Sequence, residues 1–518
     1  VVPAPAPEPD ALAWFAAGGP FGGTVPRRID THAASVFLAG DRAWKLKKPV
    51  SLGYLDFSTP ERRRAALAAE LALNRRTAPD VYLGLHPVVL GPEGLRLGTA
   101  GEGGSAIDWA LEMRRFPDGA VLAERAQPLA PAEALALADA IAAFQGSLAP
   151  LPSDSAGALA PVLEGNRRSL ETEAAILGPA AVEQFLATEV RAFARLRPRL
   201  GARRPVRGHG DLHLGNIAMV GGQPILFDAL EFDEELATGD VAYDLAFLLM
   251  DLWARGLRDE ANLVMNRWMD LTADEAAGPL LPFLMAVRAS IRAHVTATRA
   301  RQTGDSAAAA EARRLLALAT GLNAPVPPRL VAIGGLSGTG KSSVARLLAA
   351  GLGAPPGARH LRSDVIRKRL HGVPPETRLP PSAYGPGSWP PVRAEMHRLA
   401  KLALEGGQAV LLDAVHADPA DRKAAALLAA AAGVRFDGLW LEAPLAVRLA
   451  RVGSRVGDAS DADARVAEAQ EAIDPGPPAP FVAIDASGPL AAVVSRAQAL
   501  LELDGSPPPG SAGSRPPR

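Results

Sequence analysis

Gly335-Leu336-Ser337-Gly338-Thr339-Gly340-Lys341-Ser342 meets the pattern G-x-x-x-x-G-K-S at every fixed position. An apolar run, Leu330 to Ile333, precedes it, and a helical pattern from Lys341 through Leu348 follows. Glycines let such a loop wrap so that its backbone N–H groups face phosphate oxygens. Gly335, Leu336, Ser337, Gly338, Thr339, Gly340 and Ser343 are therefore expected to cradle a nucleotide. Lys341 would reach the β- and γ-phosphates, in binding and in catalysis, and the Ser342 hydroxyl would ligate Mg2+. ATP and Mg2+ are the expected cofactors.

Downstream, strand candidates at His360 to Arg362, Ala409 to Asp413, Phe436 to Leu441 and Phe481 to Ile484 alternate with helical patterns, as a parallel sheet requires. Ligands bind outside the carboxyl ends of such strands. Ser363-Asp364-Val365-Ile366-Arg367-Lys368 follows one of these ends. Asp364 can accept the proton of an attacking hydroxyl and Arg367 can hold an anionic group, although the same residues also suit a helix cap with a solvated arginine. Asp413 closes the run Val410-Leu411-Leu412 in the manner of a carboxylate that holds Mg2+ through water. Ala414, not a glutamate, follows it. The lack of a second carboxylate to activate water favours transfer over mechanical hydrolysis. Arg448, Arg451 and Arg455 share one helix face by their spacing of three and four. They fit a lid that neutralises phosphate charge, Arg448 binding and Arg451 and Arg455 catalytic, or a solvated basic face.

These stretches together resemble the P-loop kinases related to zeta toxins, gluconate kinases and polynucleotide 5′-kinases. The resemblance covers about residues 328–503 and implies an α/β, adenylate-kinase-like domain with a parallel sheet. It also implies Asp364 as the base. The acceptor is not implied, because the substrates of that family are diverse.

Upstream, His209-Gly210-Asp211-Leu212-His213-Leu214-Gly215-Asn216 is followed by the strand pattern Pro224-Ile225-Leu226-Phe227, which ends in Asp228. This resembles the catalytic loop and metal-binding aspartate of protein-kinase-like enzymes. The resemblance implies that Asp211 orients or deprotonates an acceptor hydroxyl while Asn216 and Asp228 bind Mg2+. His209 and His213, four apart, are a weak zinc pair with no third ligand in view. In Ala43-Trp44-Lys45-Leu46-Lys47-Lys48-Pro49 alternation puts Lys45 and Lys47 on one face. Glu70, on a helix opened by Thr59-Pro60-Glu61, can pair with either, and Lys45 is the first choice. Trp109 to Pro117 reads as a strand running into a hinge whose backbone could recognise adenine.

Residues 25–300 resemble the aminoglycoside-phosphotransferase-like kinase superfamily. Val36-Phe37-Leu38, Lys45 to Val50, Leu55 to Thr59 and Leu71-x-Leu73-Asn74-Arg75-Arg76, with the Thr31-His32 stretch, resemble bacterial proteins that fuse this domain to a P-loop kinase. Two departures stand out. Ala229 replaces the glycine that follows the metal aspartate in protein kinases, and no G-x-G-x-x-G precedes Lys45, so phosphate contacts are expected around Thr31 to Ser35. Asp240 and Asp244 are read as braces.

The expected fold is an α+β protein-kinase-like bilobal domain followed by an α/β P-loop domain. The boundaries are a flexible start at 1–24, a small lobe at 25–116, a large lobe at 117–320, a proline linker at 321–328, a P-loop domain at 329–503 and a disordered tail at 504–518. The implied function is a bifunctional phosphotransferase acting on small-molecule or nucleic-acid-end hydroxyls. Alternatives are one active P-loop kinase under a pseudokinase sensor, or an ATPase acting on nucleic acid or protein. Lys+Arg 55 against Asp+Glu 56 leaves no basic field to favour nucleic acid. Zero cysteines exclude disulfides, cysteine zinc sites and thiol nucleophiles. The strongest apolar stretch, Leu245 to Trp253, is broken by Asp251, and the first residues lack signal-peptide features. A cytoplasmic location with no membrane contact and no obligate protein partner is the expectation.

Overall fold

The computed structural model describes residues 10–31, 33–52, 55–125, 127–385, 387–453 and 459–503. Their packing forms two units. The first draws on Val1–Pro128, Ala143–Leu151 and Pro205–Gly239, the second on Leu129–Ala142, Pro152–Arg204 and Asp240–Arg518.

The first unit is built on a six-stranded antiparallel sheet, in the order Arg27–Asp30, Ala34–Ala39, Arg42–Lys47, Ala106–Arg114, Tyr82–Gly91, Gly94–Leu97. Alternation along Arg42–Lys47 separates two environments. Trp44 and Leu46 pack with Phe37, Val88 and Ala110, while Lys45 and Lys47 reach the helix Pro60–Asn74 on the other side. The Thr59 hydroxyl caps that helix by accepting the Arg62 N–H, with Pro60 in the first helical position.

Residues 10–24, expected to be flexible, hold the short helix Ala11–Ala16, capped by Asp10. Phe15 is fully buried, 5.4 Å from the Phe37 ring. The correction has a plain cause: the apolar face of the sheet needs a cover, and an aromatic residue on a short helix supplies it. Residues 1–9 and the tail 504–518 lie outside the described residues.

The second unit has a helical part, which includes Ser155–Thr172, Pro179–Gly201, Val241–Ala254, Arg258–Thr272, Leu281–Thr303 and Ser306–Leu322. Every residue from Ala242 to Leu252 is buried, so the most apolar helix lies inside the bundle. Among the described residues no helix is long and apolar enough to cross a membrane. Asp240 caps this helix through the Ala242 N–H (2.9 Å) and accepts from Arg203 (2.6 Å), while Asp244 lies 3.5 Å from Arg288.

The same unit contains five parallel strands in the order Arg359–Arg362, Val410–Asp413, Arg329–Gly334, Arg435–Glu442, Val482–Asp485. Each overlaps a strand expected from the sequence. Val331 and Ile333 face one apolar core, and Leu330 and Ala332 face another, as a sheet covered on both sides demands. The central strand Arg329–Gly334 delivers the chain into the glycine-rich loop, and the helix Lys341–Ala349 follows it.

Candidate functional sites

In the first unit, Lys45 Nζ donates to Glu70 Oε1 and to Asp228 Oδ1, both at 2.7 Å. Lys47 Nζ donates to Glu70 Oε2 at 2.8 Å and to Glu231 Oε1 at 2.5 Å. Glu70 therefore pairs with both candidate lysines, and only Lys45 also reaches Asp228. Burial would raise the Glu70 carboxyl, but the two ammonium groups outweigh it and hold it down at about 2. Burial lowers and the surrounding carboxylates raise the Lys45 ammonium; the carboxylates win, so it stays charged. Glu231 is shifted upward by burial and by the charge of Glu70.

The loop that carries Asp211 is fixed by its own side chains. Asn216 Nδ2 donates to the Asp211 carbonyl (2.9 Å) and to its carboxylate (2.8 Å). His209 Nε2 donates to the Phe227 carbonyl at 3.1 Å, and His213 Nδ1 accepts from the Gly215 N–H at 2.9 Å. Both histidines thus tie the loop to backbone. Gly210, at φ +81°, has no room for a side chain: a Cβ would lie 2.7 Å from that of Ala237. Asp228 itself has φ +59°, a backbone state sparsely used outside glycine and a form of strain that clusters at functional sites. Two residues without an assigned role hold it there. The Asp228 N–H donates to the Tyr82 hydroxyl (3.0 Å), and the Ala229 N–H donates to Asn74 Oδ1 (2.9 Å). Asn74 lies one helical turn beyond Glu70, a spacing that could have revealed it; Tyr82 left no such signal.

In the second unit the loop 335–342 opens onto a cavity of about 1140 Å3. Ser337, Gly338, Thr339, Gly340, Lys341, Ser342 and Ser343 line it, together with Asp364, Arg367, Asp413 and Arg451. Gly335 and Leu336 lie behind this lining. Gly335, at φ +138°, presses on the neighbouring strand end, where a Cβ would come within 2.5 Å of the Leu441 carbonyl. Leu336 gives its carbonyl to Lys341 Nζ at 3.1 Å. Asp413 is buried, with His360 Nε2 at 3.2 Å and Arg362 Nε at 3.8 Å. Burial alone would raise its carboxyl. The His360 hydrogen bond and the charges of Arg362 and Lys341 prevail and keep it well below the usual range. Asp364 is moved the other way: burial raises it, against a hydrogen bond from Ser460.

The three arginines part company. Arg448 is 2% exposed, and its guanidinium donates to the Ala467 carbonyl at 3.3 Å and pairs with Glu471, so it braces the loop from behind and does not line the cavity. Arg451 reaches the cavity and donates to the carbonyls of Thr339 (3.3 Å) and Gly488 (3.0 Å). Arg455 lies outside the described residues. Arg367 lines the cavity while donating to the Ala383 carbonyl at 2.9 Å, with its guanidinium 4.8 Å from the Tyr384 ring. Gln470, which left no sequence signal, accepts the Ser337 N–H at 2.6 Å.

Family comparison matches this division of chemistry. The model of the phosphotransferase enzyme family matches residues 55–277, and that of an AAA domain matches residues 330–473. The fold and sites thus define a two-domain protein of kinase type, a phosphotransferase domain followed by a P-loop kinase domain. Uncharacterized proteins of Mycobacterium tuberculosis and Mycobacterium bovis are each 33% identical over 455 residues, which span 85% of this chain and 88% of theirs. The chain belongs to their family. Among solved structures, a choline/ethanolamine kinase family protein from Mesorhizobium loti is 16% identical, covering 60% of this chain and 93% of that one, with a TM-score of 0.37. A gluconokinase from Sinorhizobium meliloti is 23% identical, covering 34% and 92%, with a TM-score of 0.25. The Mycobacterium tuberculosis APS kinase, also 23% identical, covers 34% and 99% with a TM-score of 0.26.

Proposed function

We propose that the chain is a bifunctional cytoplasmic phosphotransferase with two MgATP sites, each passing the γ-phosphate to a hydroxyl acceptor. Asp228 and Asn216 would hold one Mg2+, and Ser342 and Asp413 the other; carboxylate, amide and hydroxyl oxygens are the donors this hard cation takes. Bound there, Mg2+ would offset negative charge on the phosphates. Lys45 is aimed by Glu70 at the position of Asp228, ready to meet phosphate oxygens in the first site. Asp211 is oriented by Asn216 to accept the proton of the first acceptor. In the second site Lys341 and Arg451 meet the phosphates from the loop side. Asp364 takes the acceptor proton, and its raised carboxyl gives it a stronger pull on that proton than an ordinary aspartate.

One observation carries the two-site reading: the buried arrangement of Lys45, Glu70 and Lys47, joined to Asp228. Burying such charges is costly, and a purely structural core would be as stable with apolar residues there. The test uses the whole chain with radiolabelled ATP and a panel of sugars, nucleosides, 5′-hydroxyl oligonucleotides and aminoglycosides. Lys341→Ala should remove one labelled product and Asp211→Ala a different one. If Asp211→Ala leaves every product in place, the first site is a sensor. If label appears only as inorganic phosphate, stimulated by nucleic acid, the chain is an ATPase.

A further inference from the structure

The strand Arg359–Arg362 lies at an edge of the parallel sheet and, among the described residues, pairs only with Val410–Asp413. An edge strand leaves a row of backbone groups without strand partners. Here two side chains of the helix Arg258–Thr272 meet them. Asn266 Oδ1 accepts the His360 N–H at 2.8 Å, and Asn266 Nδ2 donates to the Ala358 carbonyl at 3.1 Å. Asn262 Nδ2 donates to the carbonyls of Pro356 (3.0 Å) and Ala358 (3.1 Å). The fit is close, for a Cβ on Gly357 would lie 2.8 Å from Asn262 Nδ2.

The Arg359 side chain, 1% exposed, completes the junction. It donates to Glu275 at 2.9 and 3.0 Å, to Asp270 at 2.7 Å and to Asn266 Oδ1 at 3.1 Å. A buried arginine with two carboxylates adds little net stability but fixes one geometry, since any displacement strands a charge. Arg267 adds a further tie, to Glu376 at 2.7 Å.

The next residue along the strand, His360, holds Asp413. We infer that Asn262, Asn266, Asp270 and Glu275 are positioning residues of the P-loop site: they set the strand Arg359–Arg362 and, through His360, the Asp413 carboxylate. The helical part is then a working component of the second active site. This rests on the reading of Asp413 as a metal-holding residue of that site.

The test uses the whole chain and two readouts. The first is amide hydrogen exchange without nucleotide, in peptides spanning 359–364 and 410–413. Asn266→Ala should speed exchange in both, while the helix Leu281–Thr303 keeps its wild-type rate and shows that the fold persists. Asn262→Ala, which removes the neighbouring bonds to the Pro356 and Ala358 carbonyls, should speed exchange at 359–364 as well. The second readout is the Mg2+ concentration for half-maximal ADP binding, counting only the binding that Lys341→Ala abolishes. Asn266→Ala and His360→Ala should each raise it about tenfold or more, with Mg2+-free ADP affinity unchanged. Unchanged exchange at 410–413 in Asn266→Ala overturns the inference, as does an unchanged Mg2+ requirement in both variants. If ADP binding ignores Lys341→Ala, the proposed function of this site has failed, and exchange at 410–413 alone decides the linkage.

Discussion

Glu70 is fully buried between two ammonium groups, and its carboxyl is held at about 2 against an ordinary 4.5. A carboxyl depressed on folding contributes stability that is whole above pH 4.5 and is lost as pH falls from there toward 2. Glu70→Gln keeps the shape and removes the carboxylate that Lys45 and Lys47 share, leaving each ammonium with one carboxylate, Asp228 or Glu231. A loss of about 3 kcal/mol is expected in urea unfolding of the first unit, together with a weaker acid dependence below pH 4.5. His416 poses the complementary case in the second unit. It is 3% exposed at φ +49°, with neither ring nitrogen hydrogen-bonded among the described residues. Burial pushes its imidazole from 6.5 down to about 4. Its contribution to stability is present above pH 6.5 and is lost as pH falls through that window toward 4. His416→Asn, which tolerates the left-handed backbone and does not titrate, should flatten the urea midpoint between pH 7 and 4.5.

Among elements, the glycine-rich loop tolerates little change. Gly338 has φ +89°, and a Cβ there would lie 2.5 Å from the Arg448 carbonyl. The helix Leu445–Gly453 therefore packs directly on the loop backbone, and Arg448 locks that contact from its buried side. Gly338→Ala must either strain the loop or push this helix away. ADP affinity, measured by calorimetry, should fall at least about tenfold, a cost of about 1.4 kcal/mol. The helix Pro60–Asn74 is less delicate. Thr59→Ala removes one capping acceptor and should cost about 0.5–1 kcal/mol in urea unfolding, with Lys45 and Glu70 still paired.

For the molecule as a whole, the parallel sheet and the helices 240–322 belong to one unit, joined by buried polar groups as well as by chain connectivity. Cleavage in the proline segment, between Asn323 and Pro328, would keep the covalent chain on each side intact while leaving Arg359 dependent on a noncovalent partner. The separated C-terminal piece is expected to melt at a lower temperature than the same residues in the intact chain, and remixing with the N-terminal piece should recover part of the loss. Scanning calorimetry checks both. A separated piece that melts unchanged would show that Asp270 and Glu275 contribute nothing beyond their own helices.

By itself the sequence determined what local rules and short spacing can carry. Lys341 and Ser342 follow from a loop whose glycines have one mechanical use, Lys45 and Lys47 share a face because strands alternate, and Thr59-Pro60 opens a helix wherever it stands. Spacing also placed Arg448 and Arg451 on one helix. It could not say that this face turns inward at Arg448, because periodicity defines a face and not its neighbour. Tyr82, Asn74 and Gln470 take their roles from partners 133 to 155 residues away along the chain. Asn266 and Arg359, 93 residues apart, meet across a junction that no motif marks. Only tertiary structure decided these, since hydrogen bonds and buried charge pairs depend on proximity in space, and folding alone brings such distant positions together.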